Sequence, residues 1–294
     1  MAYLDSDIDK KFETYRLYLR NICDYLISTY GEWRVFGNFV IDKFTTIQPI
    51  HTSEVNYIER FLKLAWNTEY LGCRELIDDI SIVRINNHWK LIQIYYAIYS
   101  AGEALSYLID GQKSDSHIRC LRKISDFLMK RKIPPWHFAF SGCKRQGYKP
   151  INFPDHLIIP HNLKRNVRPV ESIAACLKAE HPHRIDETFK KNPGKFKLDH
   201  DPGPTTILHF SYRLRIKSNY KDADIFIVDS PPDDFIVEFS KNLSQLCYWT
   251  LLLFELIIMK RWNKMKLIEL INKYLSLNQD AHRLISRRDY YNAI

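Results

Sequence analysis

Glycine is scarce in this 294-residue chain, nine residues in all, and no GxGxxG, GKS or GKT stands among them. Phosphate-cradling loops need backbone that turns tightly without a Cβ, so the common nucleotide-binding signatures are missing. HExxH and GxSxG are missing too, and with them the usual zinc-protease and serine-hydrolase patterns. The six cysteines, Cys23, Cys73, Cys120, Cys143, Cys176 and Cys247, include no CxxC pair. The N-terminal MAYLDSDIDKKF has no apolar run of signal-peptide type. A reducing, cytoplasmic setting is the expectation.

Long apolar runs are few. Leu91 to Gly102 is shorter than the roughly 20 residues a membrane span needs, and Leu243 to Met259 carries Gln245 and Glu255. Both read as buried helices, and no membrane partner is expected. The hydrophobic share of 46% is enough for a real core.

Positive charge is unevenly placed. The chain has 43 Lys and Arg against 34 Asp and Glu, a net of +9, and residues 130–200 hold 15 of those bases with 6 of the acids. That window alone accounts for the excess, so the remainder is neutral. It also holds 8 of the 13 prolines and 6 of the 11 histidines. A local field of this kind attracts polyanions, and Lys144, Arg145, Lys164, Arg165 and Arg168 are its candidate nucleic-acid contacts. A merely solvated basic loop is the competing reading of the same charges.

Apolar steps of three and four predict a first helix over Asp5 to Ser28 (Ile8, Phe12, Tyr15, Leu19, Ile22, Leu26). Trp33 to Phe44 reads as strand or helix. A second helix is capped at Thr52-Ser53-Glu54 and runs to about Ile77, and a third follows Asn86 or Asn87 to Gly111. That third helix is apolar on nearly every face, as expected of a central one. A fourth covers Ile118 to Lys130 and stops at Pro134-Pro135. Within the basic segment only Glu171 to Glu180 reads as helix, and the core is expected not to continue through it. Thr206 to Lys217 alternates apolar and polar residues, which reads as a strand with one basic face, ahead of a helical reading. Ser230-Pro231-Pro232-Asp233 opens a long helix to about Trp262, followed by Met265 to Leu275 and a polar tail.

Two blocks carry a resemblance: IQIYYAIYSAGEALSYLIDG, residues 92–111, and YRLRIKSNYKDADIF, residues 212–226. Both resemble the HEPN superfamily, in which a YYAxxxAxxAL helix is followed by an Arg, with a His or aromatic about five positions on, and then a long helix. The matching residues are Tyr95-Tyr96-Ala97, Ala101 and Ala104-Leu105, then Arg215 with Tyr220. The resemblance implies a mainly α, antiparallel helical bundle with a basic Pro/His-rich insertion and a short strand or hairpin. It would be one discontinuous domain, with residues 1–129 and 205–294 as its halves and 130–204 inserted. It further implies RNA or another nucleic acid as partner, a homodimer, a protein partner from the same operon, and a role in bacterial antiphage defence or toxin–antitoxin systems.

Active members of that family cleave RNA without metal, using an Arg and a His. In-line attack by a 2′-hydroxyl needs a proton-handling group and a cation on the phosphate. Here the phosphate clamp would be Arg215, with Arg213 and Lys217 in support and Tyr220 or His209 handling protons. No His follows Arg215 within reach, and Tyr ionises only near pH 10. A non-catalytic antitoxin, scaffold or effector-complex subunit therefore stands beside the nuclease. Arg131 and His137 repeat the Arg-then-His order across Pro134-Pro135, where a helical pair cannot form. His137, Cys143, His156, His161, Cys176, His181 and His183 are zinc-capable, but their spacing matches no usual zinc module, and no cofactor is expected.

Overall fold

A computed structural model describes the backbone of residues 7–50, 54–74, 79–160, 167–191, 199, 201–221, 223–226 and 231–294. Among them are ten α-helices and one two-stranded hairpin, a mainly α fold. In chain order come α1 (Asp7–Tyr30), α2 (Trp33–Lys43), α3 (Val55–Cys73), α4 (Ile80–Asp110) and α5 (His117–Arg131). Next are β1 (Ala139–Cys143) and β2 (Gly147–Ile151), α6 (Pro169–Lys191) and α7 (Ile207–Ile216). Then α8 (Asp233–Arg261), α9 (Lys264–Leu275) and α10 (His282–Ala293) complete the order.

Contacts divide the chain into two interleaved units. The first comprises Met1–Thr29, Ile77–Leu91 and Ser125–Asn242. Its α1 buries Phe12, Tyr15, Leu19, Ile22 and Leu26 of the stripe that the apolar steps predict, while Ile8, at the start of that stripe, is exposed. Tyr18 meets Phe210 of α7 edge to face at 6.0 Å, and Phe12 meets Phe239 of α8 at 5.2 Å. Arg16, also fully buried, bonds Glu13 and Glu238 and lies 3.8 Å from the Phe235 ring centroid.

The core does continue through the basic segment, contrary to the sequence-based expectation. Trp136, Ala139, Phe140, Ala174, Leu177 and Ile185 are all fully buried. The antiparallel hairpin pairs Ala139 with Ile151 and Cys143 with Gly147. Gly142 sits at φ +125°, and a Cβ there would collide with the Gly147 carbonyl, so the close strand approach requires glycine. His181 of α6 is fully buried and binds the hairpin, with one ring nitrogen 2.9 Å from the Gly142 carbonyl and the other 2.8 Å from Thr205 Oγ1.

The stretch from Thr206 forms α7, not a strand. The alternation misleads because its polar positions are inside as well: His209, Ser211, Arg213 and Arg215 are all buried. With both sides of the segment enclosed, alternation carries no information about facing, and Ile207, Phe210 and Leu214 form a helical stripe instead. The N-terminus is held by a reciprocal cap in which His209 Nδ1 accepts from the Thr206 amide at 3.3 Å.

The second unit comprises Tyr30–Leu76, Ile92–Ile124 and Leu243–Ile294. Trp33 to Phe44, ambiguous in sequence, is α2, and the segment expected to be a polar tail is α10. Gly37 lets α2 approach α10 so closely that a Cβ would overlap the Tyr290 ring. Leu251 to Phe254 and Ile257 to Ile258 of α8 are fully buried. Helix α8 is the one described helix long and apolar enough to cross a membrane, and 83% of its apolar window is buried inside the fold.

Candidate nucleic-acid interface

The helical geometry of α7 redistributes the basic residues that a strand would align. Residues four apart share a helix face, so His209, Arg213 and Lys217 lie along one side, while Arg215 points away from them. Arg213 Nε is 3.7 Å from Glu180 Oε2 of α6, and Lys217 Nζ lies 4.9 Å over the Tyr15 ring of α1. Arg215 lies over Tyr212, its guanidinium carbon 5.5 Å from the ring centroid. All three cations are 8–9% exposed. Burial pushes the Tyr15 phenol far above its ordinary range, and the neighbouring Glu180 carboxylate adds to the effect.

His209 is 4% exposed and is occupied as the helix cap. With Nδ1 accepting a hydrogen bond from the Thr206 amide, the ring's own hydrogen lies on Nε2. Tyr220 stands in the π-helical turn Lys217–Lys221, but its side chain lies outside the described residues. Of the proposed cleavage residues, Arg215 and His209 are therefore placed on different sides of α7 within the interior.

The hairpin turn presents cations to solvent. Lys144, Arg145 and Lys149 are exposed there, within six residues of one another. Lys144 Nζ is 3.3 Å from Asp186 Oδ1 of α6, and Arg145 Nε is 3.0 Å from Asp199 Oδ1. The Arg145 side chain is nonetheless 65% exposed. Packing of the Tyr148 ring against His181 at 5.0 Å fixes the hairpin on α6. Arg168, exposed at the start of α6, bonds Glu171 through Nε at 2.9 Å. Lys164 and Arg165 lie outside the described residues.

Two histidines of this unit, His137 and His181, are pushed toward the neutral form. Burial is the main force pushing His137 down to about 4, and burial also lowers His181, which its two ring bonds fix in one orientation. Among the described residues no three His, Cys, Asp or Glu side chains gather as a metal site.

Sequence reasoning singled out Lys144, Arg145 and Arg168 but passed over Lys149 and the acids Asp186, Asp199 and Glu180. Lys149 stands two residues past Gly147, the kind of turn signal that marks a hairpin. The acids are far away in sequence, and no local pattern announces their pairing. No family model, curated protein or solved structure matches the chain.

Proposed function

We propose that the protein is a HEPN-like RNA-binding component of a bacterial antiphage-defence or toxin–antitoxin system, and that it holds RNA without cleaving it. The observation that carries this reading is the exposed basic hairpin turn, Lys144, Arg145 and Lys149, fixed on α6 inside the segment that contains the chain's whole charge excess. Solvent-exposed ion pairs contribute about 0–1 kcal/mol, so the carboxylates of Asp186 and Asp199 yield readily to RNA phosphates, which also release counterions. The non-catalytic form rests on His209, whose imidazole is committed to capping α7. The partner from the same operon and the homodimer belong to the proposal through the resemblance alone.

The test is binding of labelled single-stranded RNA in EDTA across a salt series. Reversing Lys144, Arg145 and Lys149 to Glu should lower the slope of log affinity against log salt by about 2, at ~0.7 per phosphate contact. An unchanged slope would remove the hairpin from the interface. Cleavage by the wild type that disappears in Arg215→Ala would replace this reading with the ribonuclease.

A further inference from the structure

In the second unit a cavity of about 440 Å³ opens between the end of α3 and the start of α10. Small-molecule sites occupy this size range, and they pair an apolar floor with a few polar groups. The floor here is Trp66, Cys73 and Leu284, all buried, with Tyr70 half-buried beside them. Arg74, Arg283 and His282 also line the cavity, together with one exposed acid, Asp280. Glu69 also reaches the wall, but both its oxygens are engaged by Arg287, at 2.8 and 2.6 Å. Arg287 also serves Glu255, so the buried acids are only partly answered, and Arg74 and Arg283 are the two cations of the lining.

The local backbone points the same way. Helix α10 starts after Ala281, an N-cap residue with no side-chain acceptor for the first-turn amides. Arg283 is held in position by its bond to the Ser244 carbonyl at 2.8 Å, and guanidinium groups suit carboxylate or phosphate oxygens.

We propose that this cavity binds a small organic anion, an oxyanion head group carried on a flat apolar body. The head group sits between Arg74 and Arg283 at the start of α10. The body lies against Trp66 and Tyr70 and reaches toward Cys73. The site is built from residues of the second unit alone and does not depend on the RNA reading.

Calorimetric titration with adenosine monophosphate, benzoate, inorganic phosphate and adenosine tests it. Saturable binding of adenosine monophosphate identifies a phosphate head group, and of benzoate a carboxylate. Phosphate alone and adenosine should each bind at least about tenfold more weakly than the preferred anion, since each lacks one half of the recognition. Arg74 is exposed, so Arg74→Glu should fold normally and lose about tenfold in affinity. Alkylation of Cys73 by N-ethylmaleimide, mapped by mass spectrometry, should slow when the preferred anion is present. The proposal is overturned if neither adenosine monophosphate nor benzoate binds saturably, if adenosine binds as well as its phosphate, or if Arg74→Glu changes nothing.

Discussion

Arg287 and Glu69 meet in a bidentate pair, with nitrogen–oxygen distances of 2.8 and 2.6 Å, where neither side chain is more than 3% exposed. The same guanidinium bonds Glu255 through Nε at 2.9 Å, and that carboxylate also accepts from Trp66 at 2.8 Å and Tyr291 at 2.6 Å. One cation thereby ties α3, α8 and α10 together. Burial pushes the Glu255 carboxyl up, while Arg287 pulls against that shift. Removing the arginine strands two acids in a low-dielectric interior. Arg287→Ala should lose about 3–5 kcal/mol in urea denaturation, with a lowered midpoint. Glu255→Gln, which keeps the shape and removes one charge, should lose less. Equal losses in the two variants would show that packing, not charge pairing, dominates.

The cap of α7 gives a second prediction. His209 occupies the third helical position, where Glu or Gln commonly accepts from the N-cap amide. His209→Ala should cost about 1 kcal/mol, and His209→Gln should recover much of it. If Gln is no better than Ala, the imidazole contributes through its packing instead.

His137 makes stability depend on acid. Its ring is buried, Nδ1 has no hydrogen-bond partner among the described residues, and its folded pKa is pushed down to about 4 from 6.5. Below 6.5 the unfolded chain takes up a proton that the folded chain refuses, so stability is lost as pH falls from 6.5 toward 4. Discounted for solvent near the ring, the loss is of order 1–2 kcal/mol. His181 is shifted in the same direction and adds to the slope. Denaturation of His137→Gln over this range should show a shallower fall than the wild type. Parallel curves would exclude the His137 contribution.

The sequence made the amphipathic helices legible, because α1, α3 and α9 each gather most of their apolar residues on one side, even though α1 buries Arg16 and α3 buries Glu69. It failed at α7 and α10 for one shared reason. Both bury charged side chains, Arg213 and Arg215 in the first and Arg287 in the second, so a pattern that equates polar with outside misplaces them. The partners that make this burial tolerable, Glu180 for Arg213 and Glu69 with Glu255 for Arg287, come from other helices. The cations of the hairpin were visible as composition. Their arrangement was not, since it depends on a Gly142–Gly147 approach and on His181 holding the turn from α6.

The acids paired with the hairpin cations provide the sharpest test of RNA binding. Asp186 and Asp199 pair with Lys144 and Arg145, at 3.3 and 3.0 Å, and under the proposed function they would compete with RNA phosphate for these cations. Exposed pairs of this type are worth ~0.2–1 kcal/mol, so removing a carboxylate should raise RNA affinity by up to about fivefold per site. Asp186→Asn and Asp199→Asn should therefore bind labelled RNA more tightly than the wild type, with the difference shrinking at high salt. Because phosphate contacts carry no base information, the gain should be similar for unrelated RNA sequences. Unchanged or weaker binding in both variants would mean that Lys144 and Arg145 act in the fold and not at the RNA.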